Sequence, residues 1–420
     1  MLEEALNGHT TNNFVGGVEV NASSGYPWTL VSTTAKKSDL IDVDPVTGVR
    51  TFRKSPGGRL LKNLVVTKLE QARKNKRLTS FCTSKLKDTL IKEEHVKRGK
   101  TRVFNASAIE DVLFSNAILG RFREAYLNMG MQMHHAIGCD PLSYDWDRFY
   151  NYLNQHPNWG DIDYANFDRR LLSVFIRMAE AITIETIGDD GWRTARYVVA
   201  ETAVNSLMLD IDTVYMTEHS NKSGEVDTTP RNSKVNMIMM FYCWCKLTEQ
   251  RDLDLFRRNV AFLTFGDDIV FTVSDKYSNV FNFNGIKRVL GELGQVVTPS
   301  KKCDGEAPDF VPQEEITFLK RRFFKSEGMI LSPLEKRSIE ASFGWSKVPA
   351  SSTSLWQEIV RNDLVEAAQW GKTYYDSFCL ALLNKTLERS FPVHLRQALA
   401  SVLCVSWEAQ IQKIKARKSL

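Results

Sequence analysis

The sequence predicts an α+β fold, and three stretches carry that expectation. Residues 261–273 (AFLTFGDDIVFTV) set two apolar runs rich in Val, Ile and Phe around Phe265-Gly266-Asp267-Asp268, the pattern of a tight β-hairpin with Gly266 at its turn. Trp159 to Tyr164 reads as a short strand carrying Asp161 and Asp163. After it, Leu171, Leu172, Phe175, Ile176, Ala179 and Ile182 keep a helical period. From about 333 to 415 the spacing is helical with few turn breakers, which marks a separate helical subdomain.

Composition narrows the class. Over 420 residues the formal net charge is +5, and no apolar run reaches membrane-spanning length. No basic-then-apolar signal pattern opens the chain. Seven cysteines are too few and too scattered for a disulfide scaffold, and Cys243-x-Cys245 lacks zinc or redox spacing. The histidines show no paired-ligand spacing, and His134-His135 reads as structural. A reducing, intracellular setting is the expectation.

The remaining elements follow in order. Ser23-Ser24-Gly25-Tyr26-Pro27-Trp28 is a turn bearing two aromatics. Residues 60–70 suit strand or helix. Lys85, Lys87, Lys92, Lys97, Arg98, Lys100 and Arg102 fall within eighteen residues, a density that suits polyphosphate or a nucleic-acid backbone, or a solvated surface. Residues 107–133 look helical, with Asn105 or Ser107 as the boundary cue, and 144–156 form another helix. Asp168 stands where a helix N-cap would, which explains it without any site; Asp163 has no such explanation. Residues 192–209 read as helix and 211–217 as strand. A polar loop, His219 to Thr229, then feeds a long helix from Arg231. Residues 279–294 are helical, Gln295 to Thr298 a strand, and Ile316 to Phe324 a strand with a basic turn.

Paired carboxylates at the tip of apolar strands need something to offset their charge. A divalent cation does so, because oxygen ligands suit Mg²⁺ or Mn²⁺; a solvated Asp-Asp turn explains the hairpin alone equally well. An acidic strand end, with an acidic hairpin about a hundred residues on, is what two cations roughly 4 Å apart require in phosphoryl transfer. Basic residues at 85–102 would hold a triphosphate, and Lys302 could protonate the leaving group.

With these pieces in order, residues 23–345 resemble the RNA-dependent RNA polymerases of positive-strand RNA viruses, within them the picornavirus-like group. Ser24-Gly25-Tyr26-Pro27 is similar to the motif where template enters. Lys87-Asp88 and Lys97 to Arg102 look like the basic fingers motif. Asp163-x4-Asp168 matches the first palm motif, and Ser223-Gly224-x3-Thr228-x3-Asn232 the second. Phe265-Gly266-Asp267-Asp268 resembles Tyr-Gly-Asp-Asp with Phe for Tyr. Thr298-Pro299 with Lys302 resembles the fourth motif, and Phe318-Leu319-Lys320-Arg321 the primer grip.

The resemblance implies a right-hand polymerase fold: an antiparallel-sheet palm, fingers and a helical thumb. It implies fingers at 1–158 with an insertion at 186–210, palm at 159–185 and 211–324, and thumb at 325–420. Asp163, Asp267 and Asp268 would bind Mg²⁺, with Mn²⁺ able to substitute, and Lys302 would act as acid. Asp168, Thr228 and Asn232 would read the ribose 2′-hydroxyl. Lys87, Lys100 and Arg102 would hold the triphosphate, and Ser223 and Gly224 would touch nucleotide and template. Ser24, Gly25, Tyr26, Lys320 and Arg321 would contact RNA. The implied partners are RNA template and primer, ribonucleoside triphosphates, a small protein primer and other viral replication proteins. No membrane anchor is present, so membrane-associated replication complexes in the host cytoplasm would be reached through partners.

Only about twenty residues precede the Ser24 motif, where family members carry many more, so a trimmed piece or a cut from a polyprotein is expected. Glu225-Val226-Asp227 is acidic where relatives carry small or neutral residues. Two rivals stand beside this reading. A reverse transcriptase would block the 2′-hydroxyl with a bulky side chain, and Asp168, Thr228 and Asn232 argue against it. A non-catalytic RNA-binding protein would keep the basic channel but have no need of all three carboxylates.

Overall fold

The computed structural model of the chain describes residues 1–8, 16–31, 33–301, 305–326, 328–344, 352–388 and 392–419. Its central sheet runs Val297–Thr298, Asn158–Tyr164, Asp268–Val273, Val260–Phe265, with every neighbour antiparallel. Both faces are covered, which is why the hairpin strands are almost continuously apolar instead of alternating. Alternate side chains still point to opposite faces. Phe262, Ile269 and Phe271 join a core with Phe175, Met239, Trp244 and Ile286, from the helices Ser173–Ile187, Thr228–Thr248 and Phe283–Glu292. Leu263 and Val270 turn the other way, onto Trp146 and Phe149 of the helix Asp145–Leu153 and onto Phe318 and Phe323.

A second sheet joins distant parts of the chain in the order Val103–Ala106, Phe81–Leu86, Leu207–Asp210, Thr213–Met216. Phe81 pairs with Leu207 in parallel, and the outer pairs are antiparallel. The helices Pro56–Arg73, Ile109–Met129 and Arg193–Val204 build the adjoining core around Leu61, Val65, Leu113 and Ala195. A third core, around Leu364, Tyr375, Leu399 and Ile411, is shared by the helices Thr353–Ala368, Lys372–Leu387, Val393–Leu403 and Trp407–Lys418.

Several sequence expectations change. Residues 60–70 are helix, started by Ser55, whose hydroxyl accepts from Gly58 N with Pro56 in the first turn. The helix expected from 107 starts at Ile109 with no side-chain cap. Asp168 caps nothing: it lies in the one-turn helix Phe167–Arg170, and the long helix starts afresh at Ser173. The helix expected through 209 ends at Val204, and 207–210 is strand. Because Thr213–Met216 pairs with Leu207–Asp210, the boundary placed at 210 falls inside a hairpin. Residues 316–323 are not a strand, and only Phe324 enters one, Phe324–Ser326, which pairs with Met329–Leu331. Phe318 and Arg321 close a tight turn in which Leu319 and Lys320 take φ of 55° and 60°. Neither residue type advertises that conformation.

Candidate active site

The acidic turn is the site's fixed point. Phe265 pairs with Asp268, leaving Gly266 and Asp267 as a two-residue turn, and Gly266 takes φ of 65°. The helix Thr228–Thr248 holds this turn from beneath. Gly266 N donates to Ser233 Oγ at 2.9 Å, and Asn236 Nδ2 donates to Gly266 O at 2.5 Å. Both side chains are fully buried. Asn236 lies four residues from Asn232 and three from Ser233, so all three share one side of the helix, and a single helix serves the turn and its neighbour Asp168. The sequence reading missed Ser233 and Asn236. The available signal was polar residues recurring along one stripe of an apolar helix.

The acidic strand ends meet. Ile162 pairs with Ile269, which brings the next residues along, Asp163 and Asp268, side by side; Asp163 also faces Thr298. Asp163 and Asp267 are exposed and Asp268 is half-buried. Burial, then the negative charges of Asp267 and Asp163, raise the Asp268 carboxyl to about 6, with Lys320 acting against them. Asp161 is a different case. It is buried and accepts from Ser300 N at 2.9 Å and Thr317 N at 3.2 Å, so it ties the strand to two neighbouring segments.

Beside the turn, Asn232 Nδ2 donates to Asp168 Oδ1 at 2.8 Å, and Asn221 Nδ2 donates to Asn232 Oδ1 at 2.6 Å. The Asp168 carboxyl is raised by burial, with the Asn232 hydrogen bond and the charge of Arg102 pulling the other way. That places Arg102 within electrostatic reach of Asp168. Lys87 N donates to Arg102 O at 2.8 Å, and Lys87, Lys100 and Arg102 are all exposed. Ser223 and Gly224 are exposed at the loop tip. A Cβ on Gly224 would lie 1.6 Å from Asn105 O, so only glycine lets the loop rest on that strand.

Other expected positions are used differently. The Thr228 hydroxyl lies 2.6 Å from Lys222 O and 2.9 Å from Glu225 O, so it clasps its own loop instead of standing with Asp168 and Asn232. Arg321 is half-buried and bidentate to Glu366, at 2.8 and 2.6 Å, and also reaches Ser332 O; Lys320 alone of that pair is exposed. Ser24 and Gly25 are buried, with Ser24 O accepting from Ile109 N, and Tyr26 packs edge-on against Phe81. Those two shape the loop from inside. Lys302 lies outside the described residues.

The acidic loop residues, unlike the family pattern, have local partners. Asp227 forms a buried pair with Arg123 at 2.5 Å, and Glu225 pairs with Arg231, which also meets Glu180 at 2.7 Å. Lys222, also missed in the sequence, is buried with its ammonium among the carbonyls of Ala203, Val204, His219 and Ser220.

Asp163, Asp267 and Asp268 form an all-oxygen donor set, which fits a hard divalent cation in kind. As the side chains stand, no three His, Cys, Asp or Glu groups among the described residues are gathered closely enough to hold an ion.

Comparison with known proteins places the chain in a family. The family described as viral RNA-dependent RNA polymerase matches residues 11–387. The chain is 42% identical over 419 residues to a replication polyprotein of Nora virus, covering 98% of this chain and 19% of the polyprotein. It is 26% identical over 391 residues to an RNA1 polyprotein of Grapevine fanleaf virus, covering 90% of this chain and 16% of that one. The chain thus spans about a fifth or less of the curated relatives it matches. In fold it matches a Sicinivirus 3Dpol RNA-dependent RNA polymerase with a TM-score of 0.79 at 21% identity, covering all of this chain and 81% of the other. The right-hand polymerase fold, with its antiparallel palm sheet, fingers and helical thumb, is therefore the architecture, and the chain belongs to the viral RNA-dependent RNA polymerases.

Proposed function

We propose that this chain copies a viral positive-strand RNA genome, joining ribonucleotides from their triphosphates to an RNA 3′-hydroxyl. The observation that carries this reading is the meeting of Asp163, Asp267 and Asp268, with the Asp168–Asn232 pair beside them and Arg102 in reach. Asp163 and Asp267, assisted by Asp268, would hold two Mg²⁺ ions. When bound, such ions lower the pKa of the attacking hydroxyl and offset charge on the transferring phosphate. Asn232 is oriented by Asn221 and holds Asp168, so the pair presents a fixed polar edge for a ribose 2′-hydroxyl. Lys87, Lys100 and Arg102 neutralise the triphosphate, Lys320 steadies the primer strand, and Lys302 supplies a proton to the leaving pyrophosphate.

The pairing of Phe81–Leu86 with Leu207–Asp210 supports a fingers unit built from both stretches, here extended through 216. The polyprotein origin of the relatives supports other viral replication proteins as partners, and a small protein primer would be a further one on the strength of the sequence resemblance. No helix among the described residues is long and apolar enough to cross a membrane. Placement in membrane-associated complexes of the host cytoplasm would run through those partners.

The test is primer extension on a homopolymeric RNA template with Mg²⁺ or Mn²⁺, comparing the chain with its Asp267→Ala variant. The variant is expected to lose roughly a thousandfold in rate, the scale of removing a main electrostatic stabiliser. Equal extension by both would overturn the site. Ribonucleotides are expected to be incorporated in preference to deoxyribonucleotides, and the reverse preference would favour a reverse transcriptase.

A further inference from the structure

Behind the loop that carries Ser223 and Gly224 lies a cavity of about 60 Å³. At about 10–15 Å³ for each water-sized centre, it has room for a small polyatomic ion. The helices Pro56–Arg73, Ile109–Met129 and Arg193–Val204 form its walls, and Glu225, Val226 and Asp227 form its loop side.

One cation on its wall lacks a direct counter-ion. Asp111 is paired with Lys68, Asp227 with Arg123 and Glu225 with Arg231. Of the two further lining cations, Lys76 is exposed to solvent, while Arg77 is half-buried and makes no direct ion pair among the described residues, with Asp111 and Glu201 acting on it only at longer range. Nη2 of Arg77 is buried and has no hydrogen-bond acceptor. A buried charged donor without an acceptor is costly, and a guanidinium matches carboxylate and phosphate oxygens best. Val199, Leu207 and Val226 add apolar surface opposite.

We propose that this cavity is a binding site for a small oxyanion, a carboxylate or a phosphate group, seated against Arg77 beneath the substrate loop. The anion takes up the unmet donor and fills the space into which Val226 could otherwise collapse. Its binding therefore restrains residues 222–227. Any effect of that restraint on RNA synthesis rests on the polymerase reading; the binding itself does not.

The test uses sodium butyrate and inorganic phosphate as separate probes on the full chain, with titration calorimetry and amide hydrogen exchange. At least one probe is expected to bind saturably and to slow exchange at Glu225–Asp227 several-fold. The same result is expected in Asp267→Ala, whose acidic turn lies outside the cavity. Binding is expected to weaken at least tenfold in Arg77→Gln. If that variant does not fold, Thr202→Leu, which fills the cavity from the opposite helix, takes its place. Preference for butyrate identifies a carboxylate with an apolar tail, and preference for phosphate a phosphoryl group; either supports the site. No protection of the loop, or equal binding by the deciding variant, overturns it. Primer extension is scored separately, so a chain that binds the anion but makes no RNA counts against the polymerase reading alone.

Discussion

Asn236 is wholly buried in a helix whose other inward residues are mostly apolar, and its amide nitrogen is bound to the backbone of the acidic turn. Ser233, one turn earlier on that face, receives the amide of the same glycine. Together they satisfy both backbone groups of Gly266, which has no other protection from the hydrophobic surroundings. Asn236→Ala leaves Gly266 O without its buried donor, and Ser233→Ala leaves Gly266 N without an acceptor. Each is expected to cost about 1–3 kcal/mol, readable in urea unfolding. The loss should also appear in primer extension as a fall in kcat with little change in KM for nucleotide. Asp267 would be displaced in these variants, whereas the basic residues proposed to meet the triphosphate would be untouched. Equal loss in kcat and a large rise in KM would point instead to damage of the nucleotide pocket.

At the scale of elements, what the sequence revealed follows from how each piece is held. The hairpin was legible because its signal is local: two apolar runs, Gly at the turn, and carboxylates with no apolar reason to be there. The strand carrying Asp163 was legible for the same reason. The turn at Leu319-Lys320 was not, because its positive φ values are imposed by the Phe318–Arg321 bridge and by the bidentate Arg321–Glu366 pair across 45 residues. The acidic loop Glu225–Asp227 was read as a departure from the family. Its partners Arg123 and Arg231 come from different helices and could not be matched by spacing. In the helix Thr353–Ala368 a buried carboxyl gives a pH signature. Burial raises Asp363 from 3.8 to about 6, outweighing the hydrogen bond from Ser342. Its folded value lies above its unfolded value, so the folded state binds the extra proton between about 4 and 6. Stability is therefore expected to fall as pH rises through that window. Asp363→Asn should be more stable than the parent by roughly 2–3 kcal/mol at pH 8, with the gap closing near pH 4. A gap independent of pH in calorimetric unfolding would rule the carboxyl out as its source.

Across the whole molecule, the C-terminal helical part is fastened at both of its ends to segments that flank the central sheet. Where the chain enters it, Arg321 grips Glu366, and the Ser332 hydroxyl donates to Pro141 O at 2.6 Å. Where the chain ends, Lys418 Nζ reaches Asp147 Oδ2 at 2.5 Å and Ser143 O at 3.0 Å, while Arg417 pairs with Asp140. Asp147 also accepts from Ile330 N at 2.7 Å, so one buried carboxylate on the helix Asp145–Leu153 gathers the strand Met329–Leu331 and the last helix. Removing one partner of a buried pair leaves the other charge uncompensated and costs more than the pair itself contributes. Lys418→Met is therefore expected to destabilise the docking of the helix Trp407–Lys418 by about 3 kcal/mol, near the low end for such losses. That corresponds to roughly a hundredfold faster amide exchange in that helix. The amides of Val260–Phe265 and Asp268–Val273 lie in a separate core and should keep their protection. If they accelerate by the same factor, the helical part and the palm open as one cooperative unit, and Lys418 guards the whole fold instead of one attachment. If neither segment changes, the Lys418–Asp147 pair does not hold the last helix in place, and the docking rests on the apolar contacts of Ile411 and Ile414 instead.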